Sequence, residues 1–500
     1  MTLRSIAATA GVALFLTAAV SVAQTSTARP ENPGTAVLPL TTKSAEARTL
    51  LDQAWKLNLD EVEQAQAIVV LQKAVKLDPD FAMGHELLAQ ISLEPSEQVA
   101  EQQKAFVTRM NASPAEQTLI QWFEDASDHK TIAAITEMNE VLSQYPHDRW
   151  VVFLATWWLM SQTQYEHAVA VYEHSGINNS PGLMNNMGYV YAYMRQFDKA
   201  FALMDKYVAA MPDSANPQDS YAEMLRMAGR FDQSIEHYRT ALAINPQFYS
   251  SQFGIADTYS LMGDQVRARR EYEIGFQKFS IPELHRIQWR TREAATYVRE
   301  ADYQGADHAF QAIADSAHQK SMSQLEADDY RQMAMYQQNP KDAFALLDKA
   351  DAANREGNNS WQTATAQEAA QILRARVEAA VKMGNKKLMN ESLDALGNLS
   401  HRSSDKVIDT AYHGAAGAAS FAEHKYKEAI PHLEEDEDNP LSLRLLAAAY
   451  EKAGEHAEAK SMNATLADLN APTLEQALVV PTFRKCYRDG ACSTRSASLK

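Results

Sequence analysis

Glycine, proline and cysteine are scarce in this chain of 500 residues, which contains 18 Gly, 17 Pro and 2 Cys. Tight β-turns depend on glycine and proline, so the sequence offers little material for them. The periodic segments are instead rich in Ala, Leu, Glu, Gln, Lys and Met, all of which favour helix. We therefore expect an all-α fold.

Both cysteines lie near the C-terminus, where Cys486 and Cys492 flank the pair Asp489-Gly490. In an oxidising compartment, a turn at Asp-Gly would bring the two thiols together in a small disulfide loop. Zinc is a weaker interpretation, because tetrahedral zinc needs four ligands and no CxxC pair or neighbouring His supplies them. The pair is therefore a disulfide candidate, and no metal site is expected.

Positive charge is also in short supply, since 47 Lys and Arg stand against 64 Asp and Glu and the net charge is −17. Nucleic-acid binding needs clustered Lys and Arg to displace counterions from phosphates. Only the last segment, from Arg484 to Lys500, is basic. We therefore do not expect a nucleic-acid partner.

One long apolar run occurs, and it lies at the start of the sequence. Arg4 precedes the run from Ile6 to Val20, and Ser21-Val22-Ala23 supplies the small residues that a signal peptidase requires. We expect residues 1–23 to be a cleaved signal peptide and the protein to be exported, either periplasmic or secreted. A retained membrane anchor is the alternative, and no further membrane span is expected.

Catalytic motifs are absent as well. The sequence contains no HExxH, GxSxG, P-loop or GxGxxG pattern, and the His85-Glu86 pair lacks the second histidine of a metalloprotease helix. We therefore expect a protein that is not an enzyme and that carries no cofactor.

What the chain does contain is a short pattern that recurs between pairs of helical stretches. Its five copies begin at Arg195, Gly229, Gly263, His424 and Gly454. The residues five positions later in the first three copies, Ala200, Ser234 and Ala268, are 34 residues apart, which is the period of a helix-turn-helix repeat. Residues at spacings of three and four then form one stripe on each helix.

These residues resemble the tetratricopeptide repeat family, in which each repeat carries such types at such offsets and closes with proline, as at Pro212 and Pro246. The resemblance implies a right-handed α-solenoid of stacked helix-turn-helix repeats. We divide the sequence into a flexible leader (24–43), an N-terminal array (44–283), a degenerate C-terminal array (284–470) and a non-periodic tail that caps the last repeat (471–500). A break near 355–360 remains open.

The resemblance also implies a binding groove, because first-helix residues off the packing stripe line the inside of such solenoids. Transferred by register, the groove positions are Phe153, Trp157, Asn185, Tyr189, Tyr193, Asp219, Glu223, Arg226, Phe253 and Asp257. Aromatic side chains offer apolar contact and the polar ones offer hydrogen bonds. Alternatively, Trp150, Trp157 and Trp158 pack between repeats and contact no ligand.

Two functions remain open at this point. The first is an exported scaffold that binds a peptide or protein partner in the groove. The second is an accessory protein that handles envelope polysaccharide by stacking sugar rings on the groove aromatics.

Overall fold

The computed structural model describes residues 36–356 and 362–488. These residues form 25 α-helices, and no strand occurs among them. Across the same two ranges, no helix is both long enough and apolar enough to cross a membrane. The predicted signal peptide, most of the predicted leader, residues 357–360 of the possible break and Cys492 lie outside the described residues.

The helices belong to two compact units, and the division falls inside one helix, between Val190 and Tyr191. The first unit contains successive helical hairpins. Its helices are α1 (Ala45–Trp55), α2 (Gln64–Leu77), α3 (Ala82–Ile91), α4 (Pro95–Thr108), α5 (Pro114–Ser127), α6 (Thr131–Gln144), α7 (Arg149–Ser161), α8 (Tyr165–Ser175) and most of α9 (Pro181–Tyr193).

Short polar side chains cap three helices of the first unit, α1, α5 and α7. At α5, the Ser113 hydroxyl accepts from the Glu116 amide while the Glu116 carboxylate accepts from the Ser113 amide at 3.0 Å. At α7, Asp148 Oδ1 accepts from the amides of Trp150 and Val151. These contacts satisfy amides that have no partner within the helix.

The same two capping carboxylates hold the chain that precedes α1. Asp148 Oδ2 accepts from the Leu38 amide at 2.9 Å, and Glu116 Oε1 accepts from the Thr41 amide at 2.9 Å. The Leu38 side chain is also buried. The prediction of a flexible leader is therefore wrong for residues 36–43, because a cap uses one carboxylate oxygen and leaves the other free to accept.

The second unit continues with further hairpins, and the boundary predicted at residue 283 lies inside it. Its helices after α9 are α10 (Phe197–Ala210), α11 (Asn216–Met227), α12 (Phe231–Ile244), α13 (Tyr249–Met262), α14 (Gln265–Lys278), α15 (Glu283–Arg299), α16 (Tyr303–Gln319), α17 (Ser323–Tyr336), α18 (Pro340–Glu356), α19 (Gln362–Met383), α20 (Lys386–Ser403), α21 (Lys406–Ala422), α22 (Tyr426–Glu434), α23 (Pro440–Ala453), α24 (His456–Ala467) and α25 (Leu474–Arg488).

The repeated sequence pattern marks the turn of a hairpin in all five copies. The first residue of each copy has a positive φ: Arg195 58°, Gly229 74°, Gly263 95°, His424 63° and Gly454 88°. A residue in the left-handed region ends a helix and turns the chain, and glycine adopts this conformation without a steric cost. The predicted helix-turn-helix repeats are thus confirmed, and the chain is an all-α solenoid.

Residues 471–488, predicted as a non-periodic tail, contain the helix α25. Val479 and Val480 of α25 are buried with Leu443 of α23 and Leu466 of α24. The other face of α25 packs against α15, so the helix contacts two parts of the second unit that are far apart in sequence. The 34-residue period carries no signal for this second contact.

Small residues allow the helices of the second unit to approach closely. Ala200, Ala222 and Ala268 are fully buried, and Gly254 of α13 faces the ring of Tyr238 from α12. A Cβ atom on Gly254 would lie only 2.3 Å from Cζ of Tyr238, closer than two non-bonded carbon atoms can approach. The ring of Tyr238 therefore requires glycine at this position.

We predict that Gly254→Ala destabilises the second unit by about 1–3 kcal/mol, since the ring of Tyr238 must move. The sign is opposite to that expected from helix propensity, which favours alanine over glycine by about 1 kcal/mol. Urea unfolding followed by circular dichroism measures the change. Gly397→Ala is the control, because its Cβ would be 3.1 Å from the nearest atom of Tyr412. Equal stability of Gly254→Ala and the unmodified protein would contradict the prediction.

Candidate ligand-binding surfaces

Four of the predicted groove residues lie in the first unit. Trp157 is 46% exposed, and Phe153, Asn185 and Tyr189 are partly buried. The Asn185 Oδ1 atom is buried and accepts no hydrogen bond from the described residues. The first unit therefore presents one large exposed aromatic ring on α7 and a carbonyl oxygen without a donor on α9.

The alternative that the tryptophans only pack between helices holds for two of the three. Trp150 is buried edge-on against Trp55, with ring centroids 4.6 Å apart, and Trp158 is buried edge-on against Trp122 at 5.9 Å. Trp157 lies on the same helix but points to solvent. Its exposed ring is available to a ligand.

The other six predicted residues lie in the second unit, and their exposures differ. Tyr193 is 43% exposed, Asp219 and Glu223 are partly buried, and Arg226, Phe253 and Asp257 are buried. Phe253 stacks on Trp289 at a centroid distance of 4.7 Å and also packs on Phe276. The prediction that Phe253 lines a groove is wrong, because α15 covers its ring.

Asp257 is fully buried and organises its surroundings instead of contacting solvent. Its Oδ2 atom accepts from Arg226 at 3.2 Å and from Arg292 at 2.8 Å, while its Oδ1 atom accepts from the hydroxyl of Tyr272. Arg226 also donates to Glu223 at 2.5 Å. We name these five residues the Asp257 network. It joins α11, α13, α14 and α15 through one carboxylate, so the prediction that Asp257 contacts a ligand directly is also wrong.

Two members of the Asp257 network reach solvent. The side chain of Arg292 is 40% exposed and that of Glu223 is 32% exposed. Their charged groups are held in place by buried partners, Asp257 for Arg292 and Arg226 for Glu223. Such pre-positioning lowers the entropy lost when a ligand binds.

Burial changes the titration of two predicted residues beside this network. It raises the pKa of the Tyr193 hydroxyl to about 12, with the Glu223 carboxylate acting in the same direction. It raises the pKa of the Asp219 carboxyl to about 7, against a hydrogen bond from Ser251 that favours the charged form. Tyr193 is therefore a neutral hydrogen-bonding group at ordinary pH, and Asp219 titrates near neutrality.

The contribution of α15 to the Asp257 network is not evident from the sequence alone. Arg292 and Arg299 are seven residues apart and so share one face of that helix. This spacing shows that the two arginines share a face of α15. It does not show which helices pack on that face, because the repeat register loosens after Pro282. Among the described residues, no group of three or more His, Cys, Asp or Glu side chains is placed to hold a metal ion.

Comparison with known proteins gives matches among solved structures. No protein-family model matches the sequence, and no curated protein matches it. Among solved structures, yeast Tom70 is similar at a TM-score of 0.40 and 14% identity, covering 89% of this chain and 96% of that chain. The APC/C hetero-tetramer Cut9–Hcn1 is similar at 0.41 and 12%, covering 84% and 76%. A tetratricopeptide repeat protein from Parabacteroides merdae is similar at 0.30 and 10%, covering 60% and 97%.

Similarity at these TM-scores carries no argument about function. The class of this protein, an all-α solenoid of helical hairpins, rests on its own helices and turns.

We predict that Asp257→Asn destabilises the second unit by about 3–5 kcal/mol, because it leaves the buried Arg226 guanidinium without full charge compensation. Chemical unfolding of both proteins measures the difference. Asp205→Asn is a matched control, since Asp205 also accepts from a tyrosine hydroxyl but is exposed. We expect that control to change stability by less than about 1 kcal/mol. Similar losses in the two variants would contradict a special role for Asp257.

The raised pKa of Asp219 predicts a pH-dependent contribution to stability. The folded protein holds this proton up to about pH 7, whereas the unfolded chain releases it near the ordinary pKa of 3.8. The contribution of Asp219 to the free energy of unfolding therefore falls as the pH rises from about 4 to about 7. Asp219→Asn should remove that part of the pH dependence in urea unfolding measured across this range. An unchanged pH profile would contradict the assignment.

Proposed function

We propose that this protein is an exported scaffold that binds a peptide or protein segment in the groove of its helical array. Export rests on the pattern of residues 1–23. Binding rests on the Asp257 network, which presents one cation and one anion to solvent from buried supports. Paired donors and acceptors of this kind suit a peptide, whose backbone offers both.

The exposed aromatic rings support the same proposal. Trp157 of the first unit and Tyr193 of the second are 46% and 43% exposed, although each lies in a helix whose other large side chains are mostly buried. Aromatic side chains bring a large contact area with few rotatable bonds and dominate many binding interfaces. We therefore expect each ring to take part in binding on its own unit.

Polysaccharide binding is the second candidate, and the same exposed rings favour it, because sugar rings stack on Trp and Tyr. Ionic strength separates the two candidates. Binding through Glu223 and Arg292 weakens as salt rises, whereas stacking of neutral sugars on aromatic rings resists salt.

The test is capture of partners from envelope extract by the chain from Gln24 to Lys500, identified by mass spectrometry. We predict that Trp157→Ala and Tyr193→Ala each reduce capture of the main partner about tenfold, as expected when a central aromatic contact of ~1.4 kcal/mol is removed. Circular dichroism confirms that each variant is folded.

Phe106→Ala is the matched control, since Phe106 is 47% exposed but lies outside the predicted groove. This variant should capture the partner as well as the unmodified chain does. Equal capture by all three variants would contradict the groove assignment. A partner that is a glycan and is retained at high salt would favour the second candidate.

A further inference from the structure

Arg484 of α25 carries a positive charge that no carboxylate neutralises directly. Its Nε atom donates to the Ala467 carbonyl at 2.8 Å, and its Nη2 atom donates to the Leu469 carbonyl at 3.2 Å and to Asn470 Oδ1 at 2.9 Å. These three acceptors are neutral. Within the described part of the chain, Arg484 forms no ion pair and its Nη1 atom donates no hydrogen bond. The guanidinium is thus fixed in place with one donor group free.

Arg299, the last residue of α15, is less constrained. It is partly buried, yet it makes neither a hydrogen bond nor an ion pair with any described residue. Burial, together with the positive charge of Arg484, lowers the pKa of Arg299 to about 10. The guanidinium remains charged at neutral pH. A recessed cation without a partner is costly to keep unless something else compensates its charge.

The helices that carry these two arginines, α15 and α25, pack against each other. Leu474 and Ala477 of α25 belong to the same buried cluster as Ala294, Ala295 and Val298 of α15. Arg299 follows Val298 directly, at the end of the packed stretch. Both guanidiniums are therefore carried by one packed pair of helices, and the positive charge of Arg484 acts on Arg299.

The charged groups nearby do not neutralise the positive charges of Arg299 and Arg484. Asp257 attracts Arg299, but its single charge is already shared by Arg226 and Arg292. Asp468 acts favourably on Arg484, and Arg488 acts against it. Positive charge is thus in excess here, although the chain as a whole has a net charge of −17.

We propose that Arg299 and Arg484 together bind a carboxylate on an acidic segment of the partner. Two guanidiniums present planar sets of N–H donors that match carboxylate oxygens. This inference rests on the proposed function, since it assigns the chemistry of the peptide that the scaffold holds. It adds a site that lies outside the predicted groove positions and that depends on α25.

The test uses fluorescence anisotropy with the chain from Gln24 to Lys500 and a labelled peptide of about eight residues that alternates Gly and Glu. A second peptide replaces each Glu by Gln and keeps the same size. At a salt concentration of about 50 mM we expect the Glu peptide to bind at least tenfold more tightly than the Gln peptide. Arg299→Gln should reduce affinity for the Glu peptide about tenfold and leave the Gln peptide unaffected.

Arg270→Gln is the matched control. Arg270 lies on the neighbouring helix α14, is exposed, and likewise makes no hydrogen bond or ion pair with the described residues, so the change in net charge is the same. Arg484→Gln, checked for folding by circular dichroism, should repeat the effect of Arg299→Gln. Equal affinity for the two peptides, no binding of the Glu peptide, or equal effects of Arg299→Gln and Arg270→Gln would each overturn the proposal.

The outcome is independent of the capture experiment. Suppose that Tyr193→Ala loses its partner, but Arg299→Gln weakens binding of the Glu peptide no more than Arg270→Gln does. The scaffold proposal is then supported and the carboxylate site is contradicted. Amidation of the peptide C-terminus shows whether the bound carboxylate comes from the Glu side chains or from the chain end. Only binding through the Glu side chains supports the proposal, because the chain-end carboxylate is present on the Gln peptide as well.

Discussion

The close packing of each helix against its neighbours is the constraint on which the rest of this structure depends. A single hairpin cannot bury its own apolar face, so stability comes from contact between successive hairpins. Ala222 and Ala268 are fully buried at such contacts, and Gly254 admits the ring of Tyr238 where no larger residue would fit. The positions of all functional side chains follow from these contacts, because each side chain is carried by a packed helix.

That packing also explains how charged groups come to lie inside the second unit. Asp257 is removed from water by the helices around it, and donors from three other helices compensate its charge. Arg484 donates its hydrogen bonds to neutral oxygens, so its positive charge is not neutralised and can attract an anionic ligand. The first arrangement is neutralised internally and presents only its outer members, Arg292 and Glu223, to solvent. Arg484, in contrast, has an Nη1 group that donates no hydrogen bond within the described residues, as expected of a side chain that binds a ligand.

Three of the predicted groove residues, Arg226, Phe253 and Asp257, are buried, for a physical reason. Register shows which face of a helix a residue occupies, and it correctly separates the exposed Tyr193 from the packing stripe. It does not show which helix packs on that face. Phe253 is covered by Trp289 of α15, and α15 lies beyond the regular period. Residues 36–43 were misjudged similarly, since composition does not reveal that capping carboxylates have a second acceptor oxygen.

The local structure, helices and the turns between them, could be predicted from the sequence alone. Helix propensity, the 34-residue period and the turn residues at Arg195, Gly229 and Gly263 are short-range properties, so they indicate helical hairpins without knowledge of distant contacts. The burial of Asp257, the covering of Phe253 and the packing of the helices that carry Arg299 and Arg484 are different. Each depends on residues far apart in the chain, and α25 returns to α15 through an apolar contact that has no counterpart in the repeat pattern. Long-range packing therefore set the chemistry of the site, whereas short-range preferences set the architecture that carries it.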